Sequence, residues 1–386
     1  MSPRSVVVVG ASLAGLSTAR ALRQQGFDGP VTIIGAEPWR PYDRPPLSKA
    51  YLAGAVDRAS LDLSPPEEEL ELRWRLGVPA VALDPPAGAV RLADGSKVRG
   101  DAVVIATGAA ARKLPGAARL RGVHTLRTVD DAEAVRARLL PGVRLVVVGA
   151  GFIGAEVAST AAALGAEVTV VELQPVPLGG VLGVPLGREL ARLYAAHGVA
   201  LLTGVGVAEV RQRAGRVDAV VLTDSRVLPA EVVVVGIGAR PAVDWLAGSG
   251  LRIDDGVRCD AAMRTVLPNV FAVGDCARPE HGWTGEPTRL EHWTAAIEQP
   301  VVAVSALLRG DAAGTPEDGY RAVPYFWSDQ FGVRLQFAGH LRGGEHVRAV
   351  SAEPLVAVYE RLGEPVAVLA IDHPRLFGRW RRLLVP

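Results

Sequence analysis

Two stretches of the chain, VVVVGASLAGLSTA at 6–19 and LVVVGAGFIGAEVA at 145–158, each run a block of valines into a glycine turn and then into a helix-like segment. A short apolar block bounded by glycine reads as a strand buried on both faces, and the valine-rich blocks at 103–106 and 232–235 read the same way. The later copy carries Gly149, Gly151 and Gly154; the earlier one has Gly10 and Gly15, with Ser12 in the middle position. A middle glycine lets backbone approach a pyrophosphate, and serine costs some clearance without abolishing it. The helix that follows still offers free amides and a partial positive charge. Each copy also ends in an acid after its second strand, Glu37 in VTIIGAE and Glu172 in VTVVEL, near the distance at which a carboxylate binds a ribose diol. One glycine motif alone is weak and compatible with a bare strand–turn–helix. Strand, loop, helix, strand and acid, found twice, predict two doubly wound parallel units and two nucleotides.

The remaining bounds narrow the class. A chain of 386 residues suits two or three domains. The formal net charge of +1 supplies no bulk field toward nucleic acid or a membrane, and no apolar run approaches the roughly 18 residues of a membrane span. MSPRS enters a strand by Val6, so no signal peptide is expected. Cys259 and Cys276 are the only cysteines, too far apart in sequence for a C-x-x-C pair and too few for a disulfide scaffold, which points to a reducing cytoplasm. All but three of the 42 basic residues are arginine, a bias that carries no functional meaning. The histidines show no metal spacing; His292 lies beside Trp293, while His281, His340, His346 and His373 read as loop or surface residues. The tail 373–386 gathers four arginines around apolar residues and reads as a solvated amphipathic helix end, with a docking patch for an acidic partner as the alternative. Ahead of it, VRLQFAGH and PLVAVYERLGEPVAVLAID predict an antiparallel sheet.

Seven stretches carry a resemblance: PYDRPPLSKAYL (41–52), DAVVIATGAAARKLPG (101–116), GAGFIGAEVA (149–158), VGIGARP (235–241), VFAVGDCA (270–277), EHWTAA (291–296) and PYFWSDQ (324–330). Over essentially its whole length the chain resembles the NADH-dependent, FAD-containing ferredoxin reductases that serve cytochrome P450s and aromatic ring-hydroxylating dioxygenases, within the glutathione-reductase-like class. The resemblance implies an α/β fold of two Rossmann-like dinucleotide-binding domains plus a C-terminal α+β domain. The expected limits are an FAD domain in two parts, 1–113 and 240–314, an NAD domain at 114–239 inserted between them, and a C-terminal domain at 315–386. It further implies that Gly10, Ser12, Ala14, Gly15 and Glu37 hold FAD together with Arg44, Lys49, the backbone near Ala80, Thr107, Gly108, Arg127 and Asp275, with Trp293 lining the isoalloxazine. Gly149, Gly151, Ile153, Gly154 and Glu172 would hold NADH, and Gly236, Ile237 and Gly238 would close over it. The chain departs from the family pattern at VELQPVPLGGVLG, where Gln174, Val176 and Gly179–Gly180 leave the outer adenosine edge undefined.

By the same resemblance Lys49 and Glu156 form a catalytic ion pair near flavin N5. Disulfide reductases of the wider class carry redox cysteines on the helix after the first nucleotide unit, and DRPPLSKAYLAG at 43–54 has none. Electrons must therefore leave for an external acceptor. The expected partner is a small [2Fe-2S] ferredoxin, which would feed a P450 or Rieske-type oxygenase; the chain itself lacks cluster ligands. Two alternatives stand beside this reading: an NADH oxidase that reduces oxygen, and a flavoprotein acting mainly as a binding module, as among relatives of apoptosis-inducing factor.

Overall fold

A computed structural model describes residues 3–65, 68–117, 120–310 and 319–386. Two five-stranded parallel sheets dominate it. In the first, Val6–Val9 lies between Val31–Ile34 and Ala102–Ile105, with Leu72–Arg75 and Val270–Ala272 at the edges. In the second, Arg144–Val148 lies between Glu167–Glu172 and Val232–Val235, with Ala200–Thr203 and Val123–Thr125 outermost. All four residues of Val6–Val9 and of Val232–Val235 are buried, as strands covered on both faces must be.

The connections place a crevice at the same point of both sheets. Helix α1 (Leu13–Gln24) leads from the central strand to its neighbour on one side, and the chain later returns to pair on the other side. Past the helix α2 (Val129–Arg136), the second sheet repeats the arrangement with α3 (Phe152–Ala163). The strand order therefore reverses at Val9 and again at Val148, where the loops splay apart and leave room for a ligand at the carboxyl ends. Two antiparallel crossovers, Ala109–Ala111 and Ala239–Pro241, pair where the chain passes between the sheets.

Beyond the second crevice, α4 (Gly179–Leu182) and α5 (Val184–Ala196) follow the strand that ends at Glu172. Helix α6 (Ala295–Arg309) returns to the first unit and shares its core with α1. The border expected at 314/315 lies outside the described residues. From Tyr325 the chain forms a five-stranded antiparallel sheet, in the order Tyr325–Gln330, Val333–Gly339, Glu364–Ile371, Val356–Arg361, His346–Ser351, closed by α7 (Pro374–Arg381). Phe377 of α7 is buried against that sheet, so the arginine-rich tail is anchored by its apolar face. Among the described residues no helix is long and apolar enough to cross a membrane.

The segment around residues 42–61 does not pack only with the first sheet. Tyr42, Leu47, Tyr51, Leu52 and Leu61 share one apolar core with Leu145, Val147 and Val234 of the second sheet and with Phe331, in the turn after Tyr325–Gln330. It acts as a wedge between units, which its position in the sequence does not reveal.

His281, read from sequence as a loop or surface residue, is buried. Its Nδ1 accepts the backbone N–H groups of Trp283 and Thr284, at 3.1 and 3.3 Å, and its ring stands edge-on to Tyr320. Burial, helped by nearby His340, pushes its pKa down to about 4 from an ordinary 6.5. Between those values the unfolded chain holds a proton that the folded chain refuses. Stability is full above pH 6.5 and falls as pH drops toward 4, by up to about 3 kcal/mol. Melting temperatures between pH 7 and pH 4.5 should therefore decline, and His281→Asn, whose amide oxygen can take over the two N–H groups, should make that decline shallower.

Candidate active site

The first crevice is built on close backbone approach. Gly10 has a φ of +129°, and a Cβ there would sit 2.0 Å from the Ala106 carbonyl oxygen, at the end of the neighbouring strand. A Cβ on Gly15 would meet the Gly10 carbonyl oxygen at 1.8 Å, so α1 can lie against the strand only with glycine at that position. Ser12 is the N-cap of α1 in extended conformation, yet its side chain does not cap the helix; its Oγ accepts instead from Arg44 Nε at 3.2 Å. The first amides of α1 thus have no side-chain cap, as an anion site at a helix start requires.

Several candidates converge there. Arg44 donates to Glu37 Oε1 at 2.7 Å and to the Arg127 carbonyl at 2.6 Å, while Arg127 pairs with Asp275 at 2.8 Å. Thr107 Oγ1 donates to the Ala242 carbonyl at 2.8 Å, tying the first crossover to the start of the returning chain. Gly108 has a φ of +67°, and a Cβ there would stand 3.4 Å from the Arg127 guanidinium. Ala14 is buried and faces Gly274 beside Asp275. Ala80 opens the strand Ala80–Asp84 of a small antiparallel sheet, with no polar contact to the other candidates among the described residues.

Two residues of this site escaped the sequence reading. Tyr42 donates to Glu37 Oε2 at 2.5 Å and accepts the N–H of Val129, which joins the wedge segment to α2. Burial foremost drives its phenol well above the ordinary range, so it stays a donor. Gln299 of α6 is fully buried and accepts the Gly274 N–H at 2.7 Å, setting the turn that carries Asp275. Tyr42 lies inside the quoted PYDRPPLSKAYL stretch, five residues beyond Glu37, a signal that was available.

The second crevice repeats the construction. A Cβ on Gly149 would meet the Gly236 carbonyl oxygen at 2.4 Å, and one on Gly154 would meet the Gly149 carbonyl oxygen at 2.0 Å. Gly151 differs: it is the N-cap of α3, and the nearest atom to its Cβ position is 3.9 Å away, so its glycine answers to open space beside the helix start. Glu172 accepts the Ala150 N–H at 2.6 Å through one oxygen and the Gln174 N–H at 2.8 Å through the other. Gly236 closes the floor by donating to the Val148 carbonyl at 2.8 Å, and Gly238 follows with a φ of +96°. Ile153 and Ile237 are both exposed at this mouth.

Between the crevices stands an ion pair. Lys49 Nζ lies 2.8 Å from Glu156 Oε2 and also donates to the Pro45 carbonyl at 2.9 Å. Glu156 is buried in α3, and its carboxylate takes two further donors, the hydroxyls of Ser48 and of Ser328. The serines were not singled out from sequence. Trp293 is partly exposed, donates through Nε1 to Asp43 at 3.0 Å, and stands edge-on to Trp327 at 6.0 Å. His292 packs against Phe326, and burial lowers its pKa to about 4, so it is neutral at physiological pH.

The residues present fit two dinucleotides. Each crevice has a helix start without a side-chain cap, a glycine-tight strand–helix approach and an acid after the second strand; the first adds two arginines, and the second leaves space at Gly151.

Comparisons with known proteins agree with this geometry. Residues 4–300 match the family described as pyridine nucleotide-disulphide oxidoreductase, and residues 325–385 match a reductase C-terminal domain. The chain belongs to that oxidoreductase family. It is 39% identical to rhodocoxin reductase of Rhodococcus erythropolis over 98% of this chain and 89% of that protein. It is 37% identical to the ferredoxin–NAD(+) reductase component of the anthranilate 1,2-dioxygenase system of Burkholderia cepacia, over 100% of this chain and 95% of that one. Among solved structures, the covalent putidaredoxin reductase–putidaredoxin complex is similar with a TM-score of 0.92 at 32% identity, over 99% of this chain and 93% of that one.

The glycine geometry predicts opposite outcomes for two neighbouring substitutions. Gly151→Ala should fold with a melting temperature close to that of the parent and bind nicotinamide dinucleotide more weakly. Gly154→Ala forces a Cβ into backbone and should destabilise the protein by about 3 kcal/mol or more, as overpacking does at its upper end. Thermal melting and coenzyme titration of both variants check this.

Proposed function

We propose that this chain is an NADH:ferredoxin reductase, taking reducing equivalents from NADH through bound FAD and passing single electrons to a small [2Fe-2S] ferredoxin that serves a P450 or Rieske-type oxygenase. The observation that carries the reading is a lysine–glutamate ion pair, its carboxylate buried, between the two crevices, with no cysteine in the segment 43–54 that carries Lys49. Its membership of the family and its likeness to reductases named for rhodocoxin, putidaredoxin and dioxygenase systems support the same acceptor class. Bound flavin supplies hydride acceptance and one-electron release; the protein supplies binding, orientation and charge.

The residue roles follow from the contacts. Glu37, Arg44, Arg127 and Asp275, with the α1 amides, would hold FAD, and Tyr42 would hold Glu37. Glu172 and the α3 amides would hold the adenosine half of NADH, with Gly236, Ile237 and Gly238 closing that side. Lys49 would place positive charge where the reduced flavin gathers negative charge, and Glu156 would hold Lys49 there. Trp293 would cover one edge of the ring system. The domain limits proposed at 113/114 and 239/240 lie beside the crossovers Ala109–Ala111 and Ala239–Pro241, and the proposed domain 315–386 takes in the antiparallel sheet. Both cysteines are free and buried, and burial raises both thiols, which supports a cytoplasmic setting without thiol chemistry.

Coenzyme choice tests the second crevice. Glu172 disfavours a 2′-phosphate, and residues 173–178 contain no arginine to neutralise one. kcat/KM should favour NADH over NADPH; equal values or the reverse count against the assignment.

The pair itself is tested by Lys49→Met. Flavin reduction by NADH should slow at least about tenfold, equivalent to about 1.4 kcal/mol of transition-state stabilisation, with FAD retained. In stopped flow the reduced parent enzyme should then be reoxidised rapidly by a [2Fe-2S] ferredoxin and slowly by oxygen. Rapid oxygen reduction with no response to ferredoxin would instead favour the oxidase reading.

A further inference from the structure

The carboxylate of Glu156 is held from three directions. Ser48 and Lys49, both on the wedge segment, donate to Oε2, and Ser328, on the strand Tyr325–Gln330 of the C-terminal sheet, donates to Oε1 at 2.6 Å. Ser328 is fully buried, so its hydroxyl has no water to turn to. The Nε2 of Gln330 donates to Ser328 Oγ at 3.2 Å, which occupies the oxygen as acceptor and leaves its single hydrogen for Glu156. The same face of this strand carries Phe326, which packs on Phe152 of α3 at 4.7 Å between ring centroids, and the N–H of Phe331 donates to Ser159 of α3 at 2.7 Å. The strand is thus fixed against the helix on both sides of the serine.

We infer that Ser328 is a positioning residue for hydride transfer: it fixes the Glu156 carboxylate, which in turn holds the Lys49 ammonium at the flavin. This rests on the assignment of Lys49 and Glu156 to the flavin site. The reason is geometric. A carboxylate can rotate about its last bond; Ser48 and Lys49 hold Oε2, and the bond on Oε1 fixes the second oxygen and with it the plane of the group. Without the Ser328 hydroxyl, Oε1 is buried and short of a donor, so the carboxylate is free to turn and divide Ser48 and Lys49 between its two oxygens, and the ammonium is no longer held in one place. The C-terminal sheet contributes no nucleotide loop, yet through this serine it sets the geometry where the two nucleotide units meet.

Ser328→Ala removes one oxygen and leaves the strand otherwise intact. Flavin reduction at saturating NADH should slow about fivefold with KM little changed, the loss of an interaction realised in the transition state. The flavin midpoint potential should become more negative, because a loosely held Lys49 stabilises the reduced state less. Ser328→Thr, which keeps the hydroxyl on a strand-compatible residue, should restore most of both properties. In a Lys49→Met background, Ser328→Ala should slow the reaction no further, since the serine acts through the lysine. Unchanged rate and potential in Ser328→Ala, or the same fivefold loss in the Lys49→Met background, would overturn the role of the serine while leaving the ion pair standing. A Lys49→Met enzyme reduced at the parent rate would overturn the ion-pair assignment itself.

Discussion

A buried carboxylate is costly unless hydrogen bonds and opposite charge replace the water it loses. Glu156, on helix α3, meets that demand with donors from two other parts of the chain: the wedge at Ser48 and Lys49, and the C-terminal strand at Ser328. None of these parts can shift alone without leaving the carboxylate short of a partner. The orientation of the two crevices toward each other therefore depends on this joint as well as on apolar packing, and one apolar cluster, from Tyr42 through Val147 to Phe331, joins the same segments. Thr160 of α3 adds a bond to the Ser48 carbonyl, which keeps the wedge against the helix.

The two nucleotide units solve one steric problem twice. In each, the turn after the central strand runs so close to the end of the neighbouring strand, at Ala106 in one and Gly236 in the other, that no side chain fits on Gly10 or Gly149. In each, the helix then lies on the turn itself, which excludes a side chain at Gly15 and Gly154. These four glycines serve the fold. The middle position is under no such restraint: a Cβ on Gly151 would find its nearest neighbour 3.9 Å away, and the other copy carries serine there. Ser12 gains a contact by the exchange, since its hydroxyl holds Arg44 beside the helix start.

Much of this was legible in the sequence because it is local. Strand, turn, helix and acid lie within about forty residues of each other, and their spacing predicts both sheets and the residues at their carboxyl ends. The alternation after residue 324 likewise predicts an antiparallel sheet. What was not legible depends on long-range contacts between ordinary residues. Ser48 and Ser328 carry no periodic signal, and only the folded chain brings them to Glu156, 108 and 172 residues away. Gln299 looks like one polar residue on a helix until it is found bonded to the Gly274 turn. His281 read as a loop residue because its neighbours are Gly, Trp and Thr, but that turn folds inward and uses the ring nitrogen as its acceptor. The packing of the wedge against the second sheet is hidden for the same reason.

The central claim is that electrons pass from a nicotinamide dinucleotide, through bound FAD, to an external one-electron protein. The most direct measurement is an anaerobic titration of NADH into a large excess of oxidised [2Fe-2S] ferredoxin with a catalytic amount of the FAD-loaded enzyme. The account predicts two ferredoxins reduced for each NADH consumed. Consumption of NADH only when oxygen is admitted, with peroxide formed and ferredoxin left oxidised, would contradict it.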